Sequence, residues 1–198
     1  MIIIKKLKIK DSKEIASLHN LAFFNFFLTS LGISFLNVFY TSIIKSDQGI
    51  ALGAFYEGKL VGFAIGAKNK SGFYKTLLQK NFISLSLSAC SSLIKSRFKI
   101  IKLLQSFFSK ESSDEIYLNY ATLLSICVDP EQKGQKIGKL LLEAFELEVA
   151  KYNNAISLTT DKINNDYVNN FYTSNNYKLV NQYNQGNRIM NFYIKEFK

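Results

Sequence analysis

The chain has 198 residues, 47% of them hydrophobic, and a formal net charge of +10. This length supports one sizeable core and leaves too little linker for two domains, so we predict a single domain over residues 1–198. The two cysteines, Cys90 and Cys127, lie in apolar runs without metal-ligand spacing, which is typical of reduced thiols in a cytoplasmic protein. His19 is the only histidine. The composition therefore predicts neither a metal site nor a histidine-based triad.

An uncharged run near the start, Asn20–Ile44, is 25 residues long and so long enough to cross a bilayer. Polar residues and Gly32 interrupt it throughout, and no cleavage site typical of a signal peptide follows. We therefore predict a strand, Ile2–Ile9, and then two helices joined by a loop, Ser12–Ala22 and Leu31–Ile44. Thr29 or Ser30 is predicted to cap the second helix.

Hairpins and buried strands are predicted in two further regions. The turn Glu57-Gly58 joins the strands Gly49–Tyr56 and Leu60–Ala67. The short apolar or β-rich runs Ala121–Val128 and Asn154–Thr160 are typical of buried strands. Near the end of the chain, residues 184–187 form the turn between Tyr177–Tyr183 and Arg188–Ile194.

The segment 68–110 holds nine basic residues and no acidic residue. From Ile94 to Phe108 its apolar residues recur at helical spacing, beside a lysine-rich face. Such a helix packs on its own domain, lies on anionic lipid or attracts a negatively charged substrate. Packing is the simplest interpretation, and peripheral membrane contact through 68–110 stays open. Nucleic acid is not an expected partner, because the chain has two arginines and no nucleic-acid-binding module.

After the predicted strand Ala121–Val128, a basic loop leads into a helix. Its sequence is Asp129-Pro-Glu-Gln-Lys133-Gly134-Gln135-Lys136-Ile137-Gly138-Lys139. The first turn of a helix leaves backbone N–H groups unpaired and has positive dipole character, so a phosphate can bind there. Gly134 and Gly138 allow the backbone to approach closely, and the three lysines add positive charge. The pattern predicts a phosphate-binding loop.

A second pattern begins at Asn165 and reads Asn165-Asp-Tyr-Val168-Asn-Asn-Phe171-Tyr172-Thr-Ser-Asn-Asn176-Tyr177. Val168 and Phe171 recur at helical spacing. Asn176 lies just past the predicted helix end, where a left-handed residue is needed and Asn is the best choice after Gly. The segment therefore predicts a helix that ends in a left-handed turn.

These two segments resemble motifs A and B of the GNAT superfamily of acyl-CoA N-acyltransferases. Motif A has the pattern Gln/Arg-x-x-Gly-x-Gly/Ala and motif B the pattern Asn-x-x-Ala-x-x-Phe-Tyr-x-x-x-Gly-Phe. In motif A, Lys133 stands at the Gln/Arg position, Lys136 replaces the first glycine and Gly138 is the last small residue. In motif B, Val168 and Asn176 replace the alanine and the glycine.

The resemblance implies the GNAT fold, an α/β (α+β) domain with a mixed central β-sheet of about six to seven strands flanked by helices. The basic helical insert at about 68–115 is atypical of it. It also implies an N-acetyltransferase that moves an acetyl group from acetyl-CoA directly to the primary amine of a small molecule. In this family motif A cradles the pyrophosphate of coenzyme A, and the tyrosine of motif B, here Tyr172, protonates the departing thiolate. The implied cofactor-binding residues are Ile126, Cys127, Val128, Lys133, Gly134, Gln135, Lys136, Ile137, Gly138, Lys139, Asn165 and Tyr172.

The acceptor is the least defined part of this prediction. In the family the loop between the first two helices borders the acceptor site, which implies Phe24 and Phe27 as substrate-binding residues. The aromatic loop and the basic insert suit an anionic amine, such as an amino sugar or a nucleotide-linked amino sugar. Family members also acetylate antibiotics, polyamines, amino acids and protein N-termini. The sequence leaves the oligomeric state open.

The general base is also open, because residues 117–128 contain no carboxylate. Asp114, Glu115, Tyr120 or an ordered water are the candidates. Cys127 as a nucleophile is disfavoured without a paired histidine. From another class of function, a non-catalytic acyl-CoA-binding or membrane-surface module on the same fold is the alternative.

Overall fold

The structure is a computed structural model that describes residues 1–24, 26–93, 117, 119–132 and 134–197. These residues form a seven-stranded mixed sheet in the order β1-β2-β3-β4-β5-β7-β6. The strands are β1 (Ile3–Lys6), β2 (Gly49–Tyr56), β3 (Lys59–Ala67), β4 (Ala121–Val128), β5 (Ala155–Asp161), β6 (Lys178–Gln185) and β7 (Arg188–Glu196). The helices are α1 (Ser12–Ala22), α2 (Ile33–Lys45), α3 (Phe73–Leu93), α4 (Ile137–Val149) and α5 (Asp166–Ser174).

Two apolar cores lie on opposite faces of this sheet. One face packs against α1, α2 and α3, around buried residues such as Ile15, Leu36 and Phe63. The other face packs against α4 and α5, around Phe145 and Tyr172. The fold is therefore a three-layer α/β arrangement with the sheet in the middle, as predicted.

The predicted order of elements is confirmed over the described residues. The hairpin at Glu57-Gly58 forms with both turn residues at positive φ, 48° and 82°, which is the twist that a two-residue β-turn needs. Asn176 is likewise left-handed, with φ 68°. At these turns the local sequence determines the backbone conformation.

Two predictions about the first part of the chain are wrong. The strand predicted over Ile2–Ile9 ends at Lys6, because Asp11 folds back and accepts a hydrogen bond from the Lys8 backbone N–H at 2.7 Å. Neither predicted cap residue caps α2, since its N-cap is Gly32 at φ 93°. Thr29 and Ser30 instead form a 3-10 turn, in which the Thr29 hydroxyl donates to the carbonyl of Phe23 and the Ser30 hydroxyl to that of Phe27. Both hydroxyls therefore stabilise the α1–α2 loop rather than the helix.

Helix α3 lies within the predicted insert and buries Phe73, Leu77 and Leu85 against the core of α1 and α2. Ile83 and Leu87, one turn apart, are exposed. The amphipathic pattern predicted between 94 and 108 lies outside the described residues. None of the helices in the described part of the chain has the length and apolar character that crossing a bilayer requires.

Candidate active site

The parallel strands β4 and β5 separate part of the way along their length. They pair only at Ala121–Leu123 with Ile156–Leu158, whereas β4 continues to Val128 and β5 to Asp161. Beyond Leu123, the edge of β4 that faces β5 has no strand partner in the described ladder. The opening between these strands, residues 124–128 and 159–161, is called the splay below. Its unpaired backbone groups are available to an extended ligand.

A β-bulge begins the splay. On the other edge of β4, Ile65 pairs with Ser125 but Gly66 pairs with Leu123, so Leu124 is an extra residue. The bulge turns successive side chains of β4 out of strict alternation, which places Leu124 on the core of α1–α3 and Ile126 on the core of α4 and α5. Sequence reasoning missed this bulge, although Gly66 signals it, since β4 approaches there too closely for a side chain.

The predicted phosphate loop follows β4 directly and ends at the N-terminus of α4. The first turn of α4 has no side-chain cap, so the backbone N–H groups of Ile137, Gly138 and Lys139 are available to an anion. Gly134 has a φ of 86°, which favours glycine. Lys133 lies outside the described residues. The described part of the loop fits a bound phosphate group.

Of the two departures from motif A, Lys136 can be interpreted from the structure, whereas Lys133 lies outside the described residues. Lys136 has a φ of 57° and a ψ of 16°, so it occupies the left-handed region that glycine adopts at little cost. Its side chain is exposed, as are those of Gln135 and Lys139. At Gly138 an added Cβ would meet Val128 and Phe171 at 3.8 and 3.9 Å, which is ordinary contact. Lysine at position 136 thus keeps the loop conformation and adds a cation at its surface.

Tyr172 lies on α5 with its ring in the core of α4 and α5. A Schellman motif ends this helix: the Tyr177 N–H donates to the Tyr172 carbonyl, and the Asn176 N–H donates to that of Thr173, each at 3.1 Å. The Tyr177 ring packs edge-on against the Tyr172 ring, with centroids 5.6 Å apart. The left-handed turn at Asn176 therefore brings Tyr177 back onto Tyr172, where it contacts both the backbone carbonyl and the ring of Tyr172.

Burial raises the pKa of Tyr172, because the tyrosinate would lose its hydration. Within the described residues the Tyr172 hydroxyl has no hydrogen-bond partner. A tyrosine in this state stays protonated across the physiological range, and its hydroxyl is free to donate to a ligand.

Two asparagines tie α5 to the end of β5. The Asn165 amide donates to the Thr160 hydroxyl at 2.8 Å and to the Asp161 carbonyl at 2.9 Å. Asn169 donates to the same carbonyl at 3.0 Å, and its Oδ1 accepts from Asn191 and from the Tyr193 hydroxyl. The Asn165 amide nitrogen is therefore engaged within the protein. Asn169 was not predicted, because a polar residue at a helix surface carries no signal of a partner on a distant strand.

Cys127 is excluded as a nucleophile by its surroundings. Its side chain is buried in the core of α1–α3. Burial raises the pKa of the thiol far above its ordinary range, so the reactive thiolate is not formed. Only its backbone lies along the splay. The interpretation of Cys127 as a structural thiol is confirmed, and the side chain of Cys90 lies outside the described residues.

The predicted acceptor residues lie on the α1–α2 loop. Phe24 is 79% exposed, whereas Phe27 is half-buried and packs on the core of α1–α3. Between them Phe26, itself exposed, reaches the guanidinium of Arg188 at the start of β7, with 6.0 Å between the ring centroid and Cζ. The loop thus extends from the helices that cover β3 and β4 to the far side of the splay.

Of the candidate bases, Tyr120 lies at the wrong end of β4. It precedes Ala121, where β4 and β5 are still paired, and its hydroxyl donates to Glu196 at 2.8 Å. Six residues of strand, about 20 Å, separate it from Ile126. Asp114 and Glu115 lie outside the described residues. Among the residues that the structure describes, no cluster of histidine, cysteine or carboxylate side chains suits a metal ion.

His19 is buried between α1 and α2, and its Nδ1 lies 2.6 Å from the Tyr40 hydroxyl. Burial lowers its pKa from 6.5 to about 4, because the imidazolium would lose its hydration. The unfolded chain therefore gains a proton near pH 6.5 that the folded chain does not gain until near pH 4. The stability of the fold should fall as the pH decreases through this window.

Between pH 7 and pH 4.5 we expect the free energy of unfolding to fall by about 2 to 3 kcal/mol on account of His19. The pKa of Glu148 is lowered by Lys151 and Lys6 against the cost of burial. Its contribution to the free energy of unfolding is therefore lost only below pH 4.5, the pKa of this group in the unfolded chain. Denaturant unfolding at several pH values would measure the slope. His19→Leu should be less stable at pH 7 and lack the slope, and Tyr40→Phe should keep it. An unchanged slope in His19→Leu would contradict the assignment.

Taken together, the splayed parallel strands and the uncapped helix N-terminus define an α/β domain with a site that fits an extended ligand carrying a phosphate group. The family model described as the acetyltransferase (GNAT) family matches residues 13–177. The chain therefore belongs to the GNAT acetyltransferase family. It is an acyltransferase, and its cosubstrate is acetyl-CoA.

Solved structures support the same fold. The chain is similar to the PaiA N-acetyltransferase from Thermoplasma acidophilum in complex with coenzyme A, with 18% identity, a TM-score of 0.59 and coverage of 100% of this chain and 99% of that one. It is also similar to the ribosomal-protein-S18-alanine N-acetyltransferase from Escherichia coli, with 15% identity, a TM-score of 0.60 and coverage of 100% and 94%. An aminoglycoside 6'-acetyltransferase type Ii shares 17% identity, with a TM-score of 0.63 and coverage of 98% and 96%. No curated protein sequence gave a significant match.

Proposed function

We propose that this protein transfers the acetyl group of acetyl-CoA directly to the primary amine of a small molecule, and that the splay holds the donor. The observation that carries the proposal is that the unpaired edge of β4 leads into the uncapped N-terminus of α4, where Gly138 lies close to Val128 and to Phe171, the neighbour of Tyr172 on α5. Amino sugars and nucleotide-linked amino sugars are the first acceptors to test. We place the protein in the cytoplasm.

In the proposed complex, acetyl-CoA supplies the acetyl group as an activated thioester. The backbone of Ile126, Cys127 and Val128 pairs with the pantetheine arm, as a neighbouring strand would. The loop from Lys133 to Lys139 binds the pyrophosphate through backbone N–H groups and lysine charges. Asn165 contributes through its side-chain oxygen, because its amide nitrogen is already engaged.

Tyr172 is the proposed general acid. Its hydroxyl donates a proton to the sulfur of the departing thiolate. Ordinary pKa values of about 10 for tyrosine and about 8.5 for a thiol make full transfer unfavourable. Burial of Tyr172 increases that difference, so the site must hold the hydroxyl close to the sulfur. Asn176 and Tyr177 supply that positioning. The acceptor amine approaches the thioester from the side of the α1–α2 loop, beside Phe24 and Phe27.

The loop part of the proposal is tested by acetyl-CoA binding in a calorimeter. The double variant Lys133→Glu/Lys136→Glu should bind acetyl-CoA at least tenfold more weakly, because a charge-assisted contact contributes about 1.5–3 kcal/mol. The matched control is Lys10→Glu/Lys13→Glu, two exposed lysines near the start of α1 whose replacement changes the net charge equally. Equal affinity of both variants for acetyl-CoA would contradict the proposal that this loop binds the pyrophosphate.

Peripheral membrane contact through 68–110 is a second proposal, carried by a different observation. Ile83 and Leu87 are exposed on α3, in a segment without acidic residues. Co-sedimentation with vesicles of phosphatidylcholine, with and without phosphatidylglycerol, would test it. Binding only to the anionic vesicles, lost in Ile83→Ser/Leu87→Ser, is the expected result, and no binding would refute it.

A further inference from the structure

Arg188 and Asp161 form a planar ion pair beside the splay. Asp161 is the last residue of β5, and Arg188 is the first residue of β7. The guanidinium donates from Nε to Oδ1 at 2.7 Å and from Nη2 to Oδ2 at 2.6 Å. The carboxylate therefore occupies one side of the guanidinium fork and fixes its plane.

The opposite edge of the same guanidinium remains available. Two of its five N–H groups donate to Asp161, which leaves three, on Nη1 and Nη2. Within the described residues no acceptor bonds to them, and 46% of the Arg188 side chain is exposed. These donors form a second bidentate edge, which matches the geometry of a carboxylate or a phosphate.

The position of this edge relates it to the reaction. The Asp161 carbonyl accepts hydrogen bonds from Asn165, the N-cap of α5, and from Asn169 within α5, the helix that carries Tyr172. Its carboxylate holds Arg188 beside Phe26 of the α1–α2 loop. One residue thus links the helix of the proposed acid to a free guanidinium edge beside the acceptor loop.

A purely structural role explains this pair less well. Asp161 is already joined to β7 by the strand ladder, opposite Met190. A partly exposed ion pair adds only about 0–1 kcal/mol of stability. Strand pairing already holds Asp161 to β7, so what the ion pair adds is a fixed orientation of the Arg188 guanidinium.

We infer that Arg188 is a specificity-determining residue that binds an anionic group, a carboxylate or a phosphate, on the acceptor amine. The inference rests on the proposed function and narrows its substrate class to amines that carry a negative charge. Asp161 acts as a positioning residue for Arg188. Phe26 forms an apolar side of the same subsite.

Matched acceptors test this inference, each pair differing in one anionic group: glucosamine 6-phosphate with glucosamine, O-phosphoethanolamine with ethanolamine, and tyrosine with tyramine. In at least one pair the intact protein should show a kcat/KM about tenfold or more higher for the anionic member. Arg188→Gln should raise the KM for that member by about tenfold to a hundredfold and leave kcat nearly unchanged. Arg188→Lys should be intermediate, since it keeps the charge but loses the bidentate edge.

Two control variants separate the subsite from general effects. Asp161→Asn/Arg188→Gln avoids an unpaired carboxylate and should lose the preference as Arg188→Gln does. Lys162→Gln removes a neighbouring exposed cation that donates to Gln182, and it should keep the preference. Loss of the preference in Lys162→Gln to the same degree would indicate general charge attraction and overturn the inference.

Equal use of both members of every pair by the intact protein would also overturn it. Acetyl-CoA binding, measured by calorimetry in each variant, distinguishes the two levels of failure. If acetyl-CoA binds and neutral amines are acetylated without any anion preference, only the subsite fails. If acetyl-CoA does not bind, the proposed function fails and the subsite with it.

Discussion

Tyr172→Phe should lower the kcat of acetyl transfer by about 10²–10⁴-fold, the usual contribution of a positioned general acid. The substitution removes only the hydroxyl, and the ring keeps its packing against Tyr177 and Tyr193. The Kd for acetyl-CoA should therefore stay within about twofold. Transfer is measured as free thiol released from acetyl-CoA in the presence of an amine acceptor, after thermal unfolding has shown that the variant is folded.

Tyr167→Phe is the matched control for that experiment. Tyr167 lies on the same helix, α5, and is 87% exposed. The same atom is removed, but we expect no change in kcat. A Tyr172→Phe variant with parental kcat would show that water or another group protonates the thiolate.

The pH dependence gives a second readout of Tyr172. Because burial raises its pKa, the protonated form persists as the pH rises through the ordinary tyrosine value of about 10. The kcat of the intact protein should therefore show no decline from loss of this proton up to that pH. A decline near pH 8 to 9 that disappears in Tyr172→Phe would contradict a buried acid.

Gly66→Ala should destabilise the fold more than any other single change considered for this chain. An added Cβ would lie 2.1 Å from the backbone oxygen of Thr122 and 2.5 Å from Cζ of Phe145. Since one neighbour is backbone, β3 and β4 must move apart. We expect a loss of about 3 kcal/mol or more, which is about 6 °C or more in Tm for a chain of this size.

The consequence extends to the candidate site, because Gly66 pairs with Leu123 at the bulge where the splay begins. Gly138→Ala provides a control for stability, since an added Cβ there meets only ordinary contacts. It should keep or raise the stability by up to about 1 kcal/mol, as alanine favours a helix over glycine. Equal Tm values for Gly66→Ala and the parent protein would mean that the two strands are not so closely packed.

Much of the fold could be predicted from local sequence. Alternating apolar residues, two-residue turns and the left-handed Asn176 each depend on neighbours within a few positions, so they are visible in the chain itself. The two wrong predictions at the start of the chain also arise from local interactions. The side chains of Asp11 and Thr29 form hydrogen bonds with nearby backbone groups, and these bonds replace the longer strand and the helix cap that were predicted.

The features of the candidate site likewise fall into those that the local sequence predicts and those that it does not. The phosphate loop and the tyrosine of α5 were identifiable because each belongs to a contiguous pattern with a fixed spacing. The bulge at Leu124, the Asn169 network and the pair of Arg188 with Asp161 were not, because each joins residues far apart in the chain.

The sequence by itself determined the order of the elements, the family resemblance, the loop at the N-terminus of α4 and the identity of the proposed acid. Only the tertiary structure decided that β4 and β5 separate after Leu123, that Cys127 is buried and unreactive, and that Tyr120 lies at the wrong end of its strand. The physical reason is that periodicity and turn preference are local properties of the chain. Strand separation, burial and the pairing of distant charges depend instead on which segments meet, and that is settled by packing around the two cores.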